Sequence, residues 1–347
     1  MKRRVAHLHT GRSWGGGEYQ VLNLVRGLVR RGEEAVLFGV AGGKLLQRAQ
    51  KEGLDPRRLS REAVAEFRPD IIHAHDSGAL SAARRRAREL GVPVVFSRRV
   101  ASPLRRNPFS RAKYSAGSIA AVLAISETVK QVFAARGYPP DRIYVVPSGL
   151  DLEALDTVVA DPGLRSHYGA EFLVAGVGSL TKKKNWQMLV RTAALLNGEG
   201  WDLHWLLAGD GPERKRLEVL AAGSGVRDRV HFLGFREDAQ QLIKSCDLLF
   251  FPSLIEGASV TVREAMALGA PVVAVNAAGT AESLNGHGCL VAPDDVDGAA
   301  RAVRGLLTDS AARTAMVEAA RESARRRFSF DRTVRGTMDV YDAVLAV

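Results

Sequence analysis

Residues 247–275 read DLLFFPSLIEGASVTVREAMALGAPVVAV and contain an apolar run, a loop, a helical stretch and a second apolar run. The runs Leu248–Pro252 and Pro271–Val275 are short and apolar, which predicts two buried strands. Between them, Val262–Leu268 predicts a helix that ends at Gly269. Parallel strands joined through a helix form a βαβ unit, so this stretch predicts an α/β fold with a parallel sheet.

The same alternation of strands and helices runs along the rest of the chain. Further strands are predicted at Val5–His9, Ala35–Gly39, Asp70–His75, Val92–Phe96, Ile119–Ile125, Arg142–Val146, Phe172–Gly176, His204–Ala208, Val230–Leu233 and Cys289–Val291. We expect two Rossmann-like, doubly wound parallel-sheet domains, 1–155 and 164–328, joined near Leu150–Gly163. The last helix, at 330–347, is expected to pack back on the first domain.

The composition is that of a folded protein. Of the 347 residues, 46% are hydrophobic and 25% charged, which excludes disordered and fibrous classes. Apolar runs are far shorter than the ~18 residues of a membrane-spanning helix, and the N-terminus MKRRVAHLHTGRS has no apolar signal-peptide segment. Cys246 and Cys289 lie beside apolar strands, so we expect buried free thiols and a cytoplasmic location.

Positive charge is concentrated in the first half of the chain. Residues 1–160 contain 27 lysines and arginines against 15 aspartates and glutamates, whereas residues 161–347 contain 22 against 23. The first half should therefore attract phosphates, anionic lipid headgroups or nucleic acid. Its arginine clusters lack interleaved aromatic side chains that would stack on bases, so we expect no nucleic-acid partner.

Two glutamates in the opening stretch, Glu256 and Glu264, have seven residues between them. Glu256 falls in the loop after a strand, and Glu264 about two turns into the following helix. The small residues after Glu256 let a ligand approach the backbone, and the helix N-terminus offers free N–H groups to an anion. A carboxylate at Glu264 can accept two hydrogen bonds from a sugar diol.

This segment closely resembles the E-x7-E region of retaining glycosyltransferases of family 4, which have the GT-B fold. Nearly the whole chain agrees with motifs of that family in the same order, at Trp14–Glu18, Asp70–Asp76, Ala124–Glu127, Val146–Asp151, Leu207–Pro212 and Phe328–Asp331. The resemblance implies a GT-B fold whose two domains face an inter-domain cleft. It also implies an acceptor-binding first domain and a second domain that binds a nucleoside diphosphate sugar.

The resemblance assigns roles to particular residues. Glu264 would hold the ribose hydroxyls, and Glu256 with Gly257–Val260 would hold the transferred sugar and the diphosphate. Lys184 corresponds to the lysine that neutralises the diphosphate, while Ser179 stands where the family usually has arginine. The residues expected to bind the donor are Gly16, Gly17, Ser179, Lys184, Phe235, Glu256, Gly257, Ala258, Ser259, Val260 and Glu264.

No metal or other cofactor is expected. Departure of a nucleoside diphosphate builds negative charge, which cations and N–H groups already in place can stabilise. Asp295–Asp297 spells the D-x-D metal motif of another glycosyltransferase fold, but it precedes a helix, so helix capping is the better interpretation.

Two histidines of the first domain are further candidates. His73 and His75 are one residue apart on a predicted strand, so their side chains point to the same face. We interpret His75, nearer the strand end, as a contact to a sugar hydroxyl or the acceptor, and His73 as a core residue. With no third ligand at metal spacing, a zinc site is not expected.

The first domain also contains arginine clusters. Arg98, Arg99, Arg105 and Arg106 belong to a predicted basic loop, 97–114, that follows a strand. Arginine there indicates an anionic acceptor, and the alternative is a solvated loop. Residues 84–86 (RRR) are interpreted as a solvated helix face, with a membrane-facing patch as the alternative.

The resemblance thus implies a retaining, metal-independent glycosyltransferase, with Glu256, Lys184 and His75 as catalytic candidates. It would move a sugar from a nucleoside diphosphate sugar to a hydroxyl of an anionic or lipid-linked glycan, such as lipopolysaccharide core, at the inner face of the cytoplasmic membrane. The basic first domain would contact anionic lipid there. Two alternatives stay open: a nucleotide-sugar epimerase of the same fold, and a non-catalytic binder of anionic glycan or nucleic acid.

Overall fold

The computed structural model describes residues 2–104 and 107–346. The chain divides into two compact units, one made of Met1–Gly149 with Phe328–Val347 and the other of Leu150–Arg327. Each unit contains one parallel sheet with helices packed on it.

The first sheet has seven strands in the order β3-β2-β1-β4-β5-β6-β7, and every pair is parallel. Its strands are β1 Arg4–Leu8, β2 Glu34–Gly39, β3 Arg57–Arg58, β4 Ile71–Ala74, β5 Val94–Arg98, β6 Ala121–Ala124 and β7 Ile143–Val145. Its helices are α1 Gly16–Arg30, α2 Lys44–Lys51, α3 Arg61–Phe67, α4 Ser77–Leu90, α5 Pro108–Lys113 and α6 Glu127–Ala134, with a 3-10 turn at Pro140–Arg142.

The second sheet has six strands in the order β10-β9-β8-β11-β12-β13, again all parallel. Its strands are β8 Phe172–Val177, β9 Leu203–Ala208, β10 Val230–Gly234, β11 Leu248–Phe251, β12 Val272–Val275 and β13 Cys289–Val291. The helices of this unit are α7 Leu152–Thr157, α8 Leu164–Tyr168, α9 Trp186–Gly198, α10 Arg214–Gly223, α11 Ala239–Ser245, α12 Val260–Leu268, α13 Ala278–Leu284, α14 Val296–Thr308 and α15 Ser310–Arg327, with a 3-10 turn at Lys182–Lys184. The last helix, α16 Phe330–Leu345, belongs to the first unit.

Both sheets are wound outward in two directions from their first strand. In the first sheet the direction reverses between β1 and β4, and in the second between β8 and β11. Ligands of open parallel sheets bind beyond the carboxyl ends of the strands at such a reversal point. This topology therefore places candidate sites in the loops after β1, β4, β8 and β11.

Apolar side chains hold the helices on the sheets. The central strands β4, β9 and β11 are buried along their whole length, which is why they are nearly continuous apolar runs. In the second unit Trp186 of α9 and Trp205 of β9 are among the largest fully buried side chains. The ring of Trp205 meets that of Phe250 edge to face at 5.4 Å.

The predicted pair of doubly wound parallel sheets is confirmed, and each predicted strand is found within about two residues of its expected ends. The two-residue edge strand β3 was not predicted because Arg57 and Arg58 show no apolar pattern. The basic segment 97–114, expected as a loop, contains helix α5. Asn107 caps this helix by accepting from the backbone N–H of Ser110 at 2.8 Å, and Pro108 occupies its first position.

Close packing of α1 on α16 joins the two ends of the first unit's sequence. A Cβ on Gly27 of α1 would lie 2.4 Å from Cγ2 of Val334 of α16. Nη1 of Arg3 also donates to the carbonyl of Met338 at 3.0 Å and to Asp342 at 2.6 Å. Without the final helix, the apolar face of α1 would be exposed.

We expect Gly27→Ala to lower the free energy of unfolding by about 1–3 kcal/mol, because the added methyl overpacks the α1–α16 contact. The overpacking outweighs the stability of about 1 kcal/mol that alanine usually adds when it replaces glycine in a helix interior. Gly305→Ala in α14, where an added Cβ meets no atom within 4 Å, is the matched control and should be neutral or stabilising. Urea unfolding measures both, and Val334→Ala in the Gly27→Ala background should recover part of the loss. Wild-type stability for Gly27→Ala would contradict the close contact.

Candidate functional site

The loops at the reversal point of the second sheet contain most of the residues predicted to bind the donor. The loop after β8 leads through Ser179 into the turn Lys182–Lys184, and the loop after β11 comprises residues 252–259. The backbone N–H of Leu254 donates to the carbonyl of Lys183 at 2.9 Å. The two loops are thus hydrogen-bonded to each other at the carboxyl-end edge of the second sheet.

Lys184 and Glu256 form an ion pair between these loops. Nζ of Lys184 donates to Oε1 of Glu256, and Oγ of Ser253 donates to the same oxygen at 2.8 Å. Nζ also lies 4.7 Å from the centre of the Phe251 ring, a cation–π contact. Only 15% of the Lys184 side chain and 13% of the Glu256 side chain are exposed. The lysine is therefore held in a defined position beside a carboxylate.

Helix α12 begins directly after Glu256 and the small residues that follow it. Oγ of Ser259 caps the helix by accepting from the N–H of Val262 at 3.3 Å. Gly257 and Ser259 are buried, whereas Ala258 and Val260 are partly exposed. The first turn of a helix leaves N–H groups without intrahelical partners, so this short segment presents donors beside the lysine.

Helix α13 packs against the backbone of the loop 252–259. A Cβ on Gly279 would lie 2.4 Å from the carbonyl oxygen of Glu256 and 2.6 Å from that of Gly257. Only glycine allows such an approach, so α13 fixes the path of the loop. The sequence analysis did not identify this contact, because nothing near Gly279 in sequence indicates it.

Glu264 lies on α12 with its carboxylate partly buried. The helix begins at Val260, so Glu264 is little more than one turn into it, rather than two. Nε2 of Gln240 in α11 donates to its Oε1 at 3.0 Å. Burial raises the pKa of Glu264, and the hydrogen bond from Gln240 opposes that shift. Within the described residues Oε2 makes no hydrogen bond, so one oxygen of Glu264 is available to a ligand.

Two other predicted donor residues are more exposed. The side chain of Ser179 is exposed, while its carbonyl accepts from Nε1 of Trp186 at 3.0 Å. Phe235 directly follows β10 and is 78% exposed. Both residues lie at the carboxyl-end edge of the second sheet, as Lys184 and Glu256 do. Ser253, Phe251 and Gln240 contact the predicted residues but were not themselves predicted.

Gly16 and Gly17 form the exposed start of α1 at the reversal point of the first sheet. Neither has a positive φ, and a Cβ on either would meet no atom within 4 Å. Neither backbone strain nor packing within the protein therefore requires glycine here. A bare backbone of this kind allows other atoms to approach closely.

A polar cluster lies beside these glycines at the ends of β1 and β4. Nε2 of His9 lies 2.9 Å from Oε1 of Glu18, and Nδ1 of His9 lies 3.1 Å from Oδ2 of Asp76. Asp76 caps α4 and accepts from the N–H and Oγ of Thr10 at 2.5 and 2.6 Å. The predicted motifs contained Glu18 and Asp76 without roles for them, and the structure joins both through His9.

Three histidines form a buried network under this edge. As predicted, His73 and His75 point to the same face, with ring centres 4.1 Å apart. Nδ1 of His7 lies 2.9 Å from Nε2 of His75. The nitrogens of His73 lie 2.6 Å from the hydroxyl of Tyr341 and 2.8 Å from that of Ser97. His75, predicted to contact substrate, is itself buried, so such a contact would have to replace a bond within the network.

Among the described residues, these three histidines are close enough together to bind a metal ion, since their potential ligand atoms lie within 4.8 Å of one another. His7 is the third histidine that the sequence analysis did not find. However, both nitrogens of His73 already have partners, and the guanidinium of Arg99 lies 3.2 Å from Nδ1 of His75. A buried cation beside the cluster disfavours a second one. The contacts therefore fit neutral imidazoles better than a metal site.

The arginines predicted to bind an anionic acceptor are largely occupied. Nε of Arg98 donates to the carbonyl of Val100 at 3.0 Å, and Nη2 to that of Ser102 at 2.5 Å. Arg99 contacts His75, and burial lowers the pKa of Arg99 to about 10. Arg105 and Arg106 lie outside the described residues. Arg98 therefore stabilises its own loop.

Other predictions are settled by individual contacts. Asp295 caps α14 by accepting from the N–H of Gly298 at 2.8 Å, so the D-x-D triplet is a helix cap as predicted. Cys246 is a buried free thiol, whereas Cys289 is free but only half-buried. Over the described ranges, none of the helices has the length and apolarity that crossing a bilayer requires.

Comparison with known families identifies the chain. The family model described as "Glycosyltransferase Family 4" matches residues 14–154, and the model described as "Glycosyl transferases group 1" matches residues 171–309. Between them they span most of both units. The chain therefore belongs to the family 4, or group 1, glycosyltransferases, which confirms the resemblance carried by the E-x7-E segment and its companion motifs.

Similar proteins agree with this assignment. The 2-deoxystreptamine glucosyltransferase of Streptomyces kanamyceticus is 28% identical in a 301-position alignment that covers 80% of this chain and 78% of that protein. The lipopolysaccharide core biosynthesis glycosyltransferase LpsE of Rhizobium meliloti is 31% identical over 159 residues, which are 45% of this chain and 46% of that protein.

Solved structures show the same fold. HepE of Anabaena, crystallised in complex with UDP and glucose, has a TM-score of 0.83 at 22% identity, covering 98% of this chain and 100% of that chain. A glycosyltransferase from Rickettsia africae has a TM-score of 0.87 at 19% identity, covering 99% of each chain. The predicted GT-B fold is confirmed.

The histidine network predicts how acid destabilises the first unit. Burial and the nearby Arg99 lower the pKa of His7 to about 3, and burial also holds the pKa values of His73 and His75 well below the usual range. Between about pH 6.5 and pH 3 the unfolded chain therefore binds protons that the folded chain does not, so stability falls as the pH falls through this window. At about pH 5, His7 alone should account for a loss of about 2 kcal/mol.

Unfolding midpoints at several pH values measure this effect. His7→Asn should flatten the dependence on pH, and His167→Asn, which changes an exposed histidine, should leave it unchanged. An unaltered slope in His7→Asn would mean that His7 is already protonated in the folded protein at mildly acidic pH.

Proposed function

We propose that this protein is a retaining, metal-independent glycosyltransferase that takes its sugar from a nucleoside diphosphate donor. The observation that carries the proposal is the arrangement at the reversal point of the second sheet. There Lys184 is fixed against Glu256, α12 begins beside them, and Glu264 on that helix keeps one carboxylate oxygen without a protein partner. Membership of the glycosyltransferase family gives this arrangement its chemistry.

Each group has a defined task in donor binding. Glu264 accepts hydrogen bonds from the two ribose hydroxyls, and Gly257–Val260 present N–H groups to the diphosphate. Lys184 neutralises phosphate charge, so Glu256 exchanges its bond to Lys184 for one to a hydroxyl of the transferred sugar. Ser179 and Phe235, both exposed at the same sheet edge, contact the diphosphate and the nucleotide. HepE, which has the same fold, was crystallised with UDP and with UDP-glucose.

In the transfer step, the bond between the anomeric carbon and the diphosphate oxygen breaks and one to the acceptor oxygen forms on the same face. The acceptor proton passes to the departing phosphate, so no side-chain base is required and the anomeric configuration is retained. Negative charge grows on the diphosphate as it leaves. Lys184 and the N–H groups in the first turn of α12 stabilise this charge in place of a metal ion.

The acceptor proposed is an anionic or lipid-linked glycan. The first half of the chain, which contains the first unit's sheet, has 27 lysines and arginines against 15 aspartates and glutamates. Such an excess favours phosphorylated or carboxylated acceptors and an anionic membrane face. LpsE and LpsD of Rhizobium meliloti, both similar to this chain, are lipopolysaccharide core biosynthesis glycosyltransferases.

Donor binding gives the first test of this proposal. A thermal-shift screen of nucleoside diphosphate sugars should find one that, at 100 times its dissociation constant, adds about 2.7 kcal/mol of stability. Glu264→Gln should weaken that donor by roughly 100-fold, since two hydrogen bonds to a charged group contribute about 3 kcal/mol. Glu322→Gln, an exposed position on α15, is the matched control and should bind as the wild type does.

The same donor then tests the reaction. With an acceptor and excess EDTA, NMR should show a product with the donor's anomeric configuration. Interconversion of the donor sugar without any acceptor would instead support an epimerase. Full donor affinity in Glu264→Gln would contradict the proposed site.

The glycine pair of the first unit gives a test in which stability and activity change in opposite directions. Gly17→Ala should leave the unfolding free energy unchanged or raise it by up to about 1 kcal/mol, because the position is helical and unobstructed. Initial rates of transfer should nevertheless fall at least about tenfold if ligand atoms approach this backbone. Gly305→Ala is the control for the helix effect. Full activity in Gly17→Ala would contradict a ligand contact here.

A further inference from the structure

A cavity at the opposite edge of the first sheet has no place in the proposed reaction. Its volume is about 330 Å³, and it is bounded by the last turns of α4, by Val92–Val94 and Ala116–Ala120, and by Arg142. These segments precede β5, β6 and β7, so the cavity lies at the amino-terminal edge of the sheet. The glycine pair and Asp76 lie at the carboxyl-end edge. Helix α4 spans the distance between the edges with 14 residues, about 21 Å.

Three arginines line this cavity without compensating acids. Arg84 and Arg88 lie one turn apart on α4, and Arg142 approaches from the turn before β7. No aspartate or glutamate is among the lining residues. Within the part of the chain that the structure describes, none of the three guanidinium groups makes a hydrogen bond or an ion pair, and Nε of Arg84 is buried without a partner.

Arg84 is the half-buried member of the three, while Arg88 and Arg142 are exposed. Burial and the charge of Arg88 both lower the pKa of Arg84. Arg84 in turn helps to lower the pKa of Lys113 on α5, so a fourth cation lies nearby. Arg3 and Arg98, which are buried in the same unit, have acceptors in Glu33 and in backbone carbonyls, whereas the buried Nε of Arg84 has none. An anion in the cavity would supply that acceptor and would pair at the same time with Arg88 and Arg142.

We infer that this cavity is a second anion site, separate from the donor site, and that it binds a phosphate group of a phosphomonoester or diphosphate. Guanidinium groups pair with two phosphate oxygens at once, and three of them can surround one phosphate. The volume accommodates a phosphate together with part of the molecule that carries it. The phosphate comes either from a lipid headgroup or from a dissolved phosphate ester, and the chemistry of the cavity is the same for both.

A neighbouring residue provides a matched control. Arg85 lies next to Arg84 on α4 but is exposed and does not line the cavity. Replacing either residue by glutamine removes one positive charge from the same helix. A general attraction of the basic surface for anions would respond equally to both changes, whereas a defined site responds only to Arg84.

Calorimetric titration of the full chain with inorganic pyrophosphate tests the inference. Arg84→Gln and Arg88→Gln should each weaken binding at least about tenfold, because each removes a charge-assisted hydrogen bond, and Arg85→Gln should bind as the wild type does. The donor site is the same in all four proteins, so pyrophosphate bound there cancels in the comparison. Arg84→Lys, which keeps the charge but loses the two-pronged geometry, should give an intermediate affinity and guards against a folding defect in Arg84→Gln. Equal affinities in all the variants, or an equal loss in Arg85→Gln, would overturn the inference.

A second arm identifies the source of the phosphate. Sedimentation with phosphatidylcholine vesicles, with and without phosphatidic acid, should show loss of binding in Arg84→Gln and not in Arg85→Gln if the ligand is a lipid headgroup. A loss confined to pyrophosphate supports a dissolved phosphate ester. No difference between the two variants in either assay would overturn the inference.

Discussion

The ion pair between Lys184 and Glu256 depends on sheet topology rather than on sequence proximity. The two residues are 72 positions apart, and they meet because each follows one of two adjacent strands, β8 and β11, on either side of the reversal point. Parallel strands end at the same edge, so the loops after the adjacent strands β8 and β11 start side by side at that edge. The hydrogen bond from Leu254 to the carbonyl of Lys183 then fixes the separation of the loops.

The first unit uses the equivalent edge of its sheet differently. Beneath the ends of β1 and β4 the protein contains buried histidines connected to Tyr341 of the last helix, and near them lies a cluster in which His9 contacts both Glu18 and Asp76. Hydrogen bonds from Thr10 and Ala79 hold the pKa of Asp76 below its usual value, although burial opposes this. The His9 cluster links the glycine turn to the start of α4, and the histidine network links the sheet to the terminal helix. Elements from both ends of the chain thus contribute to this edge.

Much of this was predictable, for identifiable reasons. Strands such as Leu248–Phe251 are apolar because they are buried on both faces, and burial of that kind is visible in sequence. The two glutamates were found from their spacing and the small and apolar residues around them, and Lys184 was found through the family resemblance. What sequence could not show were partners contributed by distant elements: Gln240 to Glu264, Gly279 to the backbone of Glu256, and His7 to His75. These contacts depend on how helices and strands pack, and no local pattern encodes them. Helix α5 is different, since its Asn-Pro start is a local signal that the sequence analysis did not use.

Ser179 bears on how the second unit would hold a diphosphate in the proposed donor complex. Where the family usually has an arginine, this chain has an exposed hydroxyl, and Lys182 and Lys183 are exposed as well. Flexible, hydrated lysines contribute little to a defined site because ordering them is entropically unfavourable. Lys184 differs, since the Phe251 ring and Glu256 restrict it while the chain is folded. Folding therefore provides the free energy that orders the Lys184 side chain, and ligand binding does not have to provide it. In the proposed donor complex a single fixed cation replaces two, so the N–H groups at the start of α12 would stabilise more of the diphosphate charge, and the close contact of Gly279 with that loop keeps them in position.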